Sequence, residues 1–79
     1  MSISQLLQQR RELNFNEVQR ILSQLGFRQV SLSRLHGIYA HDQVPELLSI
    51  QNSGGQVKPW QLRQLLYLIQ KYKLENPTP

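Results

Sequence analysis

The sequence predicts an α+β domain of two layers, in the order helix, three-stranded antiparallel sheet, helix. Three observations carry this. Apolar residues recur at i, i+3, i+4 and i+7 in one stretch before the middle of the chain and another near its end, as in amphipathic helices. Between Phe27 and Gln51 that period gives way to an extended one. Gly26 and the pair Gly54-Gly55 stand where one regime changes to the other.

Residues 1–13 are polar and glutamine-rich, with Ile3, Leu6 and Leu7 as apolar points, and read as an arm or a short helix. The main domain spans 14–73. Its first helix opens on Asn14, an N-cap residue, with Glu17 three positions on to complete a capping box. Val18, Ile21, Leu22 and Leu25 make the buried stripe, Gly26 takes the left-handed C-terminal position, and Phe27 is the apolar contact beyond it. "FRQVSL", "LHGIYA" and "ELLSIQ" are expected as strands, the first two joined by a short turn and the last two by a longer "HDQVP" loop. In the third strand Leu48 and Ile50 share one face, Ser49 and Gln51 the other. "NSGG" ends the sheet. Pro59 fits the first position of the second helix, where its missing N–H is no loss. Leu62, Leu65, Leu66, Ile69 and Tyr72 form the inward stripe, and Lys71 and Lys73 complement the helix dipole. Residues 74–79, ending in "ENPTP", are expected as a flexible tail.

With 79 residues and no cysteine, the chain supports one small domain without disulfides or thiolate metal sites. No stretch is apolar enough for a signal peptide or a membrane span, so the expected location is the cytoplasm, without membrane contact. Nine Lys/Arg against five Asp/Glu give a net charge of +4, which favours a polyanionic partner, RNA first and an acidic protein second.

The two histidines, His36 and His41, are the candidates for proton transfer near neutral pH. Their odd spacing puts them on opposite faces of an extended strand, which argues against a two-histidine site. No second histidine or carboxylate converges on His36 to make a metal site, and no cofactor is expected. Trp60 and Tyr67 are possible base-stacking residues, with Trp60 read first as a partly buried anchor, and Tyr39 is read as core.

The stretch "LGF" at Leu25–Phe27, followed by "LHGIYAHDQVPELLSIQNSGGQVKPWQLRQLLYLI" from Leu35 to Ile69, resembles the HicA (YcfA-like) family of toxins. Gly26-Phe27, His36, Ile38-Tyr39, His41, Lys58-Pro59 and Arg63 carry the resemblance, which covers residues 14–72. It implies a helix–three-strand–helix fold similar to a double-stranded-RNA-binding domain. It also implies a metal-independent mRNA endoribonuclease, the toxin of a type II toxin–antitoxin system, neutralised by a HicB-like antitoxin. The family's catalytic histidine falls on His36. Where the family has Gly-Ser before that histidine this chain has Arg34-Leu35, and Gly37 follows it. Arg34, Lys58 and Arg63 are the expected RNA contacts, Lys58 and Arg63 beside the positive end of the second helix. A non-catalytic RNA-binding module or a protein-interaction module on the same fold is the alternative.

Overall fold

The protein is described here from a computed structural model, which covers residues 3–9 and 13–74. Eight elements follow one another: α1 (Ile3–Gln9), β1 (Leu13–Asn14), α2 (Phe15–Leu25), β2 (Arg28–Leu32), β3 (His36–His41), β4 (Val44–Gln51), β5 (Gln56–Val57) and α3 (Pro59–Tyr72). Strands β2, β3 and β4 form an antiparallel sheet in that order, and β1 pairs with β5 in a separate two-stranded ribbon. One apolar core joins α2, α3, the ribbon and the inner face of the sheet. The expected α+β architecture is therefore present.

The local chemistry explains the boundaries. The Asn14 side chain accepts from Asn16 N–H and Glu17 reaches back to Asn14 N–H, so the capping box forms in full. At the other end Gly26 has φ 97°, and Phe27 N–H donates to the Leu22 carbonyl while Gly26 N–H donates to that of Ser23. This is a Schellman motif, sealed by the buried Phe27 ring. Pro59 opens α3, and Lys73 closes it in the left-handed region at φ 52°. Leu68 joins Leu62, Leu65 and Ile69 in the core, while Leu66 packs at its margin.

Several expectations need correction. "HDQVP" is no long loop: His41 pairs with Val44, leaving Asp42-Gln43 as a two-residue turn, and Pro45 lies inside β4. Pro45 is tolerated because Pro45–Leu47 bulge opposite the single residue Ala40, between the pairs Tyr39↔Leu48 and His41↔Val44. Phe27 belongs to the helix cap, and the first strand begins at Arg28. "NSGG" follows the end of the three-stranded sheet at Gln51, as expected, but it leads into a further short strand. Gly55 N–H donates to the Asn52 side chain, the chain turns, and β5 pairs with β1 through Leu13↔Val57 and Asn14↔Gln56. Leu13 and Leu74, placed outside the domain by their polar neighbours, are both buried in the core. Within the N-terminal arm, α1 is anchored by buried Leu7 and lies against α3. The rest of the expected tail lies outside the described residues.

Candidate functional site

The side of the sheet away from the helices is open. Along β3, Gly37 and Tyr39 are buried against the core, while His36, Ile38 and Ala40 are half-buried on the open side. The irregularity opposite Ala40 is in β4, so the alternation of β3 is undisturbed and the two histidines take opposite sides as expected. Their environments differ accordingly.

His41 is built into the frame. Its Nε2 lies 2.9 Å from the Leu25 carbonyl at the end of α2, and its Nδ1 accepts from Gln43 N–H at 3.0 Å. A carbonyl only accepts and a backbone N–H only donates, so these partners assign the proton to Nε2. The ring also meets Phe27 edge-on at 4.9 Å between centroids. Both nitrogens are used, and none is left for chemistry.

His36 is held differently. It follows the tight turn Ser33–His36, closed by Ser33 N–H to the His36 carbonyl at 2.9 Å. The Ser33 hydroxyl accepts from Leu35 N–H and His36 N–H, each at 3.3 Å, and lies 3.2 Å from the His36 carbonyl. It also stands 3.5 Å from His36 Nδ1, a loose contact that orients the ring. Nε2 has no partner among the described residues. The Gly-Ser pair that the resemblance leads one to look for at 34 and 35 is thus absent, and Ser33, one residue earlier, supplies the hydroxyl that shapes the turn. A sequence pattern fixed on positions 34 and 35 passes over Ser33.

A shallow cleft opens beside His36, lined also by Leu35, Ser49, Gln51, Asn52 and Ser53. Its floor is tied together by backbone: Gln51 lies opposite His36, and Asn52 N–H donates to the Leu35 carbonyl at 2.8 Å. Gln61, buried in the first turn of α3, completes it. Its amide nitrogen donates to the Ser49 carbonyl at 2.7 Å and its amide oxygen accepts from Gln51 N–H. Nothing in the sequence pattern marks Gln61, since an inward glutamine looks like any polar position of an amphipathic helix until its partners are known.

The expected cations are not gathered in this cleft. Arg34 is exposed in the turn, Lys58 is the N-cap residue of α3, and Arg63 is exposed on α3. None of the three lines the cleft, and none of their side chains makes a hydrogen bond or ion pair among the described residues. Gln61 docks the start of α3 on the strand that lines the cleft, so Lys58 and Arg63 flank that contact in the chain at three and two residues' remove. Trp60, expected as a partly buried anchor, is instead 50% exposed, and Tyr67 is 58% exposed. Tyr39 is core as expected, its hydroxyl 3.1 Å from Gln19 Nε2, which donates to it.

Among the described residues no three His, Asp or Glu side chains converge as a metal site, and no helix is long and apolar enough to cross a membrane. No protein-family model, curated protein or solved structure matches the chain. The class of protein is therefore set by its own geometry: a small α+β domain with an open sheet face and a histidine-bearing polar cleft.

Proposed function

We propose that this chain is an endoribonuclease of the HicA type, in which His36 moves the proton and a HicB-like antitoxin restrains the activity. The observation that carries the reading is the contrast between the two histidines: His41 spends both ring nitrogens on backbone, while His36 presents an unpartnered Nε2 beside a polar cleft. RNA needs little more, because its own 2′-OH is the nucleophile. With the ring proton on Nδ1, directed at Ser33, the Nε2 lone pair takes the 2′-hydroxyl proton. The 2′-oxygen bonds to phosphorus, the P–O5′ bond breaks, and the departing oxygen takes a proton from water or from the imidazolium. The products are a 2′,3′-cyclic phosphate and a 5′-hydroxyl. Proton transfer of this kind contributes about 10²–10⁴-fold.

The test is purified wild type and His36→Ala on end-labelled RNA, with His41→Ala as a comparison. Loss of cleavage by about 10²–10⁴-fold in His36→Ala, with the cyclic phosphate as the wild-type product, is expected. Undiminished cleavage by His36→Ala would falsify the assignment. Expression of wild type without a restraining partner is expected to arrest growth, and His36→Ala to relieve it. A second reading, RNA binding without cleavage, is favoured by the absence of any lysine or arginine from the cleft lining. It predicts salt-sensitive binding, no product, and binding unchanged in His36→Ala.

A further inference from the structure

The outward side of α3 carries a feature that the cleft does not use. Tyr67 and Lys71 follow Trp60 by seven and eleven residues, which brings all three within about 20° of one line along the helix. Arg63 stands beside that line, and Lys58 immediately precedes the helix. Both rings are more exposed than a packing role requires, at 50% for Trp60 and 58% for Tyr67. Lys71 Nζ lies 5.6 Å from the Tyr67 ring centroid and 5.2 Å from that of Tyr72, with Glu46 nearby to accept from the Tyr72 hydroxyl. Apart from Glu46, no acidic side chain occurs between Asp42 and Leu74. The result is a stripe of alternating aromatic faces and cations, with Glu46 beside its Lys71 end.

We infer that this stripe is a binding platform for single-stranded RNA, with bases stacked on Trp60 and Tyr67 and phosphates held by Lys58, Arg63 and Lys71. The inference rests on the proposal that RNA is the ligand and assigns the surface that grips it. Cations alone would suit any polyanion. The exposed rings decide for a single strand, because every unpaired base offers a flat face for stacking while the bases of a duplex are already stacked on one another. Gln61, next to Trp60 in the chain, is bonded to the backbone of the cleft residues Ser49 and Gln51, which ties the start of α3 to the strand that lines the cleft.

Trp60 is the only tryptophan, so its fluorescence reports on this surface alone. The experiment titrates wild type with a short 2′-O-methyl oligouridine, which lacks the nucleophile and cannot be cut, and follows Trp60 emission and ligand anisotropy together. Saturable quenching that tracks anisotropy is expected. Trp60→Ala and Tyr67→Ala are each expected to weaken binding by about fivefold to a hundredfold. Arg63→Gln is expected to lower the salt slope by about one. Binding with unchanged Trp60 emission and undiminished affinity in both aromatic variants overturns the platform while leaving RNA as ligand. Preference for the duplex form, or a blue shift on anionic phosphatidylglycerol vesicles without oligonucleotide quenching, overturns it in favour of another partner. Quenching by the oligonucleotide in a protein that cuts no RNA upholds the platform and fails the catalytic proposal, so the two are separable.

Discussion

His36 and His41 sit five residues apart in one stretch of sequence, and their backbone surroundings give them different work. His41 bridges the end of α2 and the β3–β4 turn, and Gly26 lies directly over it: a Cβ at Gly26 would come 3.0 Å from His41 Nε2. His41→Ala removes two hydrogen bonds and an aromatic contact, and is expected to lower stability by about 1–3 kcal/mol in urea unfolding, with RNA cleavage retained in the folded fraction. Gly26→Ala has two penalties, the left-handed backbone at φ 97° and the clash with the imidazole. The backbone part is about 1–2 kcal/mol. In a double-mutant cycle, Gly26→Ala should therefore be less harmful in the His41→Ala background, because only the backbone penalty remains there. Strict additivity would mean that the ring and the glycine do not communicate. At His36 the corresponding residue is Ser33, whose hydroxyl both shapes the turn and faces Nδ1. Sequence parity along β3 was enough to separate the two histidines, but which one kept a free nitrogen depended on partners distant in the chain, Leu25 above all.

At the scale of elements, α2 was legible almost residue by residue, because capping box, apolar stripe and C-terminal glycine are all local signals. The sheet was less so. Pro45 ordinarily argues against a strand interior, and only the bulge opposite Ala40 makes room for it. The platform side of α3 was half legible: helical spacing put Trp60 and Tyr67 near one line, but their exposure follows from what packs around α3. The buried polar contact of α3 was invisible. Gln61 answers two backbone groups on the outer edge of β4, standing in for a further strand at an edge that would otherwise be open there. Gln61→Leu matches the bulk and removes both bonds, leaving Ser49 C=O and Gln51 N–H without partners beneath α3. A loss of about 1–3 kcal/mol is expected in urea unfolding, together with faster hydrogen exchange at the Gln51 amide. An unchanged exchange rate at Gln51 would show that Gln61 is not what protects this edge. The opposite end of α3 carries Lys71, whose hydrogen bond with Tyr72 and proximity to Tyr67 raise its pKa, so the stripe keeps that charge throughout the neutral range.

The whole molecule is small enough that its margins matter. A single core of a 79-residue chain without disulfides supplies about 3–5 kcal/mol of net stability, and the sandwich is closed by contacts between distant parts of the chain. The β1–β5 ribbon joins Leu13 near the start to Val57 just before α3, and Phe15 N–H donates to the Gly55 carbonyl at 2.9 Å. Two-residue strands have no period to read, which is why the ribbon escapes a sequence analysis that finds both long helices and all three main strands. Yet Leu13 is 1% exposed and Val57 0% exposed, among the most deeply buried side chains. Leu13→Ala is expected to cost about 2–5 kcal/mol, comparable with the entire stability. The thermal transition should then fall by more than ~10 °C or lose its cooperativity, by circular dichroism. Leu35→Ala, at a leucine 71% exposed, is expected to change stability by less than about 0.5 kcal/mol. If Leu13→Ala melts within a few degrees of wild type, the ribbon is an ornament on a fold that α2, α3 and the main sheet complete alone. If it collapses the domain, His36 and the cleft depend for their geometry on a residue that the polar N-terminal sequence gives no reason to notice.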